Sequence, residues 1–151
     1  MKKHIKKIVL ALVVVFIGIQ FIPKNYNESS EVLTTDFMTT FNVPKNIDTQ
    51  LKVSCYDCHS NNTHYPWYNK IQPIAWFMED HIDEGKEELN FSEFGGYSKR
   101  RQKSKLKSIM SQIRDDEMPL WNYTLIHRDA KLSEKEKEIL ENWIENLRDN
   151  L

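Results

Sequence analysis

Cys55-Tyr56-Asp57-Cys58-His59 sets two thiols three residues apart and an imidazole directly after the second. On a helical turn, thiols at that spacing can reach the two vinyl groups of one porphyrin and form thioethers. The His that follows then lies under the ring, where it can take the proximal position on iron. The chemistry that C-x-x-C-H serves is covalent attachment of a c-type haem, one per chain here. Cys55 and Cys58 are the only cysteines in the chain, so none remains for a structural disulfide or a four-thiolate metal site. Three other readings compete. A thioredoxin-type redox pair normally follows a strand in a βαβ unit, and no such unit is legible. A zinc site would join His59 to His64, His81 or His127, but such sites usually bring a second closely spaced ligand pair. A chance pairing would have to explain why both cysteines fall in this register.

The second axial ligand has two candidates. Met118, followed by Pro119, is the first choice, because a thioether suits a Met-Pro loop and a Met/His pair raises the reduction potential. Its plainer reading is a core Met filling a gap. His81 is the rival: it lies on an apolar helical stripe, where a His with a satisfied hydrogen bond is commoner than a ligand. An open distal position is the third option. His64 and His127 fall in loops, and Met78 and Met110 lie on apolar faces as core residues.

The elements that must position these groups are almost all helical. Lys45 to His59 forms a first helix with Pro44 at its start. Tyr65, Pro66, Trp67 and Tyr68 give an ordered loop, and Pro73 opens a helix carrying Ile74, Phe77, Met78, His81, Ile82, Gly85 and Leu89. After a break at Gly95-Gly96, Leu106, Ile109, Met110 and Ile113 make another stripe that ends before Pro119. Ser133 with Glu136 is a capping-box pattern, and Ile139, Leu140, Trp143, Ile144 and Leu147 give the last helix its buried face. Asp115, Asp116 and Glu117 oppose the dipole at a helix C-terminus. Either that helix stops before them or they serve the Met118 loop.

The N-terminus points to export. Lys2, Lys3, Lys6 and Lys7 precede an apolar run from Ile8 to Ile22, the pattern of a signal. Gln20-Phe21-Ile22-Pro23 offers none of the small residues of a cleavage site, so an uncleaved anchor through residues 5–22 is expected, with the lysines in the cytoplasm. Fifteen apolar residues give about 22 Å of helix, short of a ~30 Å hydrocarbon core unless Ile5 and snorkelling lysines extend it. A cleaved signal is the alternative, which would leave a soluble periplasmic protein. Covalent haem attachment is completed on the outer side of the bacterial inner membrane, so motif and signal agree. The domains expected are 1–22 as signal anchor or signal peptide, 23–43 as a polar tether, and 44–151 as one all-α domain.

From Val43 to Leu147 the chain resembles the haem-binding-domain family of exported bacterial proteins, common among the Bacteroidetes. The resemblance rests on S-C-Y-D-C-H-S-N at 54–61, Y-P-W-Y at 65–68, E-G-K-E-E-L-N-F-S-E at 84–93 and E-M-P-L at 117–120. More broadly, its element order resembles a class I cytochrome c, with a Met-Pro ahead of an L-S-x-x-E helix start at Leu132. That likeness implies a C-terminal helix packed across the first one and a distal Met from a later loop, with a longer spacer here between Met118 and Ser133. The family implies haem binding; it supplies neither partner nor reaction.

Tyr56, Tyr65, Trp67, Tyr68, Trp76, Trp121 and Tyr123 could wall a haem crevice or be ordinary packing. Lys99, Arg100, Arg101, Lys103, Lys105 and Lys107 form the one strong cationic run. It reads as a solvated face, or more sharply as a docking patch for an acidic redox partner or as cations near haem propionates. Nucleic acid is not an expected partner of an exported haem protein, and the net charge of −1 adds nothing to the choice. The function expected is one-electron transfer by a membrane-anchored, periplasm-facing monohaem cytochrome held through Cys55, Cys58, His59 and Met118. Alternatives are a haem sensor or small-ligand binder with an open or His81-ligated site, and an exported dithiol protein in which His59 lowers a thiol pKa. No distal acid–base constellation is legible, so an electron carrier is expected rather than a catalyst.

Overall fold

Ser133 begins the most clearly signalled helix. Its N–H donates to the Glu136 carboxylate (2.8 Å) and its hydroxyl accepts from the Glu136 N–H (3.4 Å), a reciprocal cap. The computed structural model describes residues 2–151, and among them every regular element is helical. The α-helices are α1 (Lys2–Ile19), α2 (Phe37–Thr40), α3 (Lys45–Ser54), α4 (Tyr56–His59), α5 (Ile74–Glu88), α6 (Lys99–Arg114), α7 (Trp121–Ile126) and α8 (Glu134–Asp149). Short 3-10 turns lie at Trp67–Lys70, Phe91–Gly96 and Arg128–Ala130.

The core sits behind the C-x-x-C-H segment. Ile47 and Leu51 of α3 meet Leu106, Ile109 and Ile113 of α6 and Leu140 and Ile144 of α8 in one buried cluster. Phe37 is buried at its aromatic end, edge-on to Phe41, Phe91, Phe94 and Trp143 with ring centroids 5.0–6.0 Å apart. Such pairs add about 0.5–1.5 kcal/mol each beyond the area they bury. α2, which no sequence signal announced, therefore belongs to the core. The most extensive helix pair is α6 with α8. The crossing of first and last domain helices implied by the cytochrome likeness is reduced to shared core contacts of α3 and α8.

The first predicted helix is interrupted. Cys55 takes φ −132°, ψ −41°, which ends α3 and turns α4 as a separate helical turn. The three acids after α6 are also resolved in their roles. The helix stops at Arg114, Asp115 caps it, and Asp116 takes a left-handed φ of 57° that points its carboxylate to Lys137 of α8 (2.5 Å). Asp116 thus fastens α6 to α8, while Asp115 accepts from the Ser111 hydroxyl one turn earlier (3.1 Å).

The N-terminal helix is shorter than the anchor expected. α1 has 18 residues, but Lys2, Lys3, Lys6 and Lys7 occupy its first turns, leaving Ile8 to Ile19 as its apolar part. Among the described residues no helix is long and apolar enough to cross a membrane, so a transmembrane helix through residues 5–22 is not supported. The helix ends because Gln20 turns aside: its Nε2 donates to the Gln72 carbonyl (3.2 Å) and its Oε1 accepts from the Gln72 N–H (2.9 Å). The segment read as a polar tether is likewise fastened. Asn27 donates through Nδ2 to the Ser60 carbonyl (2.7 Å) and Thr63 Oγ1 (2.9 Å), and its Oδ1 accepts from Lys86 Nζ (2.5 Å). Residues 20–27 thus form a strap laid along the 60–72 loop.

Candidate functional site

α4 is a single turn, and the two residues between its cysteines hold it from opposite sides. Tyr56 stacks on Phe91 with centroids 5.0 Å apart and planes 5° apart, and its hydroxyl donates to Asp36 (3.4 Å). Asp57 accepts from the His64 N–H (3.0 Å) and from the Tyr123 hydroxyl (2.9 Å), so it ties the motif to α7. Burial, with the Asp57 charge second, raises the Tyr123 hydroxyl well above the ordinary phenol value, keeping it a donor.

His59 is oriented by α5. Its Nδ1–H is shared between the carbonyls of Gly85 (2.8 Å) and Leu89 (3.0 Å) at the end of α5, where the Gly85 carbonyl also accepts the closing Leu89 N–H (2.9 Å) and Leu89 itself lies just past the helix. That arrangement fixes the tautomer and leaves the Nε2 lone pair free on the far edge of the ring, away from α5. Burial lowers the His59 pKa below its ordinary value, although the two carbonyls pull the other way, so the ring is neutral and fit to bind metal at pH 7. The close approach depends on Gly85. A Cβ there would sit 2.9 Å from the Cys58 carbonyl oxygen and 3.4 Å from His59 Cε1.

Two adjoining cavities open on this imidazole. One, of about 320 Å³, lies between His59, Cys55 and Phe91 on one side and Ile109, Ile113, Met118 and Pro119 on the other. The second, of about 290 Å³, brings together Cys55, Cys58, His59, His81, Met118 and Tyr123. Both contain Cys55, His59 and Met118, so they form one crevice from the thiols to the Met-Pro loop. A further cavity of about 300 Å³ lies beside it, walled by Phe77, His81, Ile126 and His127. Met118 is half-buried, and its N–H donates to the Gln112 carbonyl (3.1 Å).

The sequence-predicted residues fall into two groups. Cys55, Cys58, His59, Met118 and His81 all reach the crevice. His81 Nδ1–H donates to the Phe77 carbonyl one turn earlier (2.8 Å), which leaves its Nε2 free as well. His64 is exposed, and His127 accepts at Nε2 from the Tyr68 hydroxyl (2.6 Å) while stacking on Tyr123. Lys99, Arg100, Arg101 and Lys103 are exposed at the start of α6, away from the thiols; Lys105 lines the crevice and pairs with Glu88 (3.3 Å). Among the described residues no group of three or more His, Cys, Asp or Glu could hold a metal ion on its own, which removes the support for zinc.

The donor set fits a c-type haem: two unpaired thiols, a neutral imidazole with one nitrogen committed to the backbone, and a thioether across an apolar crevice. Burial raises the Cys55 thiol to about 12 and the Cys58 thiol to about 11, with Cys58 and Asp57 respectively adding to it. Both are therefore protonated at neutral pH, unlike the thiolate that a dithiol exchanger needs.

Gly85, Leu89 and Asp57 act at this site in ways the sequence reading did not identify. Gly85 had one usable signal: a glycine inside a helix costs about 1 kcal/mol against Ala, so its presence points to a close approach. No curated protein and no solved structure matches this chain. The model of the haem-binding domain matches residues 14–146, nearly the whole chain and the whole crevice. The chain belongs to the haem-binding domain family, and its cofactor is haem.

Proposed function

We propose that the protein is a monohaem c-type cytochrome that passes single electrons at the outer face of a bacterial inner membrane. Cys55 and Cys58 would carry the thioethers, His59 Nε2 the proximal bond, and Met118 the distal one. When bound, the iron supplies one reversible oxidation step, and a Met/His pair sets it at a raised potential. The carrying observation is the three-centre bond from His59 Nδ1–H to Gly85 and Leu89, which presents Nε2 to a crevice shared with both thiols and Met118.

The chain's residues have distinct tasks in that scheme. Gly85 and Leu89 hold the imidazole in one tautomer. Phe91, Ile109 and Ile113 exclude water from the crevice, and the lower dielectric favours the less charged state of a bound metal. Lys105 offers a cation at the crevice wall for propionates. Lys99, Arg100, Arg101 and Lys103 are the docking patch proposed for an acidic redox partner, since opposed charge raises encounter rates. Lys2, Lys3, Lys6 and Lys7 with the exposed apolar part of α1 support delivery to the membrane and association with its surface.

His81 is the second reading for the distal position, favoured by its free Nε2 and its place in the crevice. Met118 is preferred because His81 stands on α5, the same helix that holds His59 from behind. Met118 and Pro119 line the crevice from the side that faces the imidazole, so Met118 would be the residue to hold the iron there.

The test is a redox-controlled absorption spectrum after acid–acetone extraction, on protein made with the haem-attachment machinery. Haem retained on the polypeptide, with the long-wavelength Met–iron band in the ferric state, is expected. Retained haem without the band transfers the distal role to His81 or an open site, and a carbon monoxide shift separates those two. No retained haem overturns the covalent reading.

A further inference from the structure

The base of α1 does not end in solvent. Gln20 is joined to Gln72 by two hydrogen bonds, and Lys24 Nζ donates to the Asn69 carbonyl (3.2 Å). These bonds set Phe21 and Ile22, the residues just past α1, beside the Trp67–Lys70 turn and Ile71. The four large apolar side chains there face outward: Phe21 is 83% exposed, Ile22 43%, Trp67 74% and Ile71 36%. None of them lines the haem crevice or the cavity beside it, so a bound haem would not cover them.

Charge separates this collar from the rest of the molecule. The chain has 22 Asp and Glu, yet none falls in residues 1–27 or 60–78, the two segments that build the collar. Lys24 and Lys70 are its charged members. The acid that comes near them in space is the half-buried Glu79 of α5, which faces Lys24; exposed aromatic and aliphatic side chains mixed with lysine are the composition of a protein surface at the headgroup level of a bilayer. An acidic protein partner would use the lysines but leave Phe21 and Trp67 without purpose.

Length gives the independent argument. The apolar part of α1, Ile8 to Ile19, is twelve residues or roughly 18 Å, well under a hydrocarbon core of ~30 Å. An apolar segment too short to cross a bilayer lies in its interface, which holds the flanking residues at headgroup level. Here the flanking residues are the collar, and the Gln20–Gln72 bonds make it part of the folded domain.

We propose that Phe21, Ile22, Trp67 and Ile71, with Lys24 and Lys70, form a lipid-contacting collar that seats the haem domain directly on an anionic bilayer. The inference rests on the membrane association proposed above and adds to it a defined face of the domain. Seating also fixes which way the crevice and the cationic start of α6 are turned.

The experiment reconstitutes the full chain into phosphatidylethanolamine/phosphatidylglycerol vesicles containing a phosphatidylglycerol with a diazirine near the glycerol end of its acyl chain. Illumination and peptide mapping then locate the adducts. Adducts are expected in residues 1–27 and in 60–78, with none in α8. The paired exposed substitutions Trp67→Ser and Ile71→Glu should reduce adducts in 60–78 several-fold while the chain still floats with the vesicles. Flotation with adducts confined to 1–27 overturns the collar and leaves the membrane association standing. Failure of the full chain to float overturns both.

Discussion

The two walls of the crevice are built differently. On the proximal wall every group is fixed by a neighbour: Tyr56 by Phe91 and Asp36, Asp57 by His64 and Tyr123, His59 by two carbonyls of α5. The facing wall joins Ile109 and Ile113 of α6 to a loop in which Met118 is half-buried and fastened by its backbone N–H. A thioether has no proton to place and no tautomer to choose, so it needs reach rather than orientation. An imidazole needs both nitrogens specified before it can bind metal well. Rigidity is spent where directionality matters.

Four changes test this contrast. The largest effect is expected from His59→Ala, which removes the proximal donor: haem content after acid–acetone extraction should fall to a small fraction of the parent's, with the helical circular dichroism largely kept. Gly85→Ala comes next. Its Cβ meets backbone at the Cys58 carbonyl, which cannot move as a side chain tip would, so a loss of about 1–3 kcal/mol in urea unfolding is expected. The reduction potential should shift with it, because the His59 bond to the same residue is displaced; an unchanged potential would mean that the proximal wall is looser than described. Met118→Leu should cost less than ~1.5 kcal/mol, since volume is nearly conserved. It should keep the covalent haem, abolish the long-wavelength ferric band and lower the potential, whereas His81→Gln should leave both unchanged. The reverse pattern would exchange the two residues' roles.

The smallest effect concerns pH in the haem-free chain. Folding lowers the His59 pKa beneath the ordinary 6.5, so the folded state resists protonation that the unfolded chain accepts. Stability contributed by the neutral ring is therefore complete above pH 6.5 and is lost as pH falls from there through the lowered folded value. The slope approaches one proton, at most about 1.4 kcal/mol per pH unit. Urea midpoints measured across that window should decline in the parent and decline less in His59→Ala. Equal slopes would assign the titration elsewhere.

Much of the helical frame was legible because it is local. α5, α6 and α8 follow from apolar spacing and from caps a few residues away, and C-x-x-C-H is contiguous. What stayed hidden depends on distance in sequence. Phe37 looked like part of a polar tether because its partners Phe91, Phe94 and Trp143 lie more than fifty residues on. Gln20 looked like part of the anchor and Asn27 like a tether residue, because both bond to backbone groups of the 60–72 loop, which no side-chain pattern announces. α7 is only six residues long and shows no buried face that spacing could reveal. At the site, the thiols, the imidazole and both distal candidates named from the sequence line one crevice, while the carbonyls that orient His59 were out of reach, since any residue has one.

Asp57 joins the C-x-x-C-H turn to Tyr123 of α7, and α7 follows directly on the Met118-Pro119 loop. One carboxylate therefore couples the turn that carries both thiols to the helix that begins where the Met118 loop ends. A disturbance at either wall of the crevice reaches the other through a single hydrogen bond, without passing through the hydrophobic core.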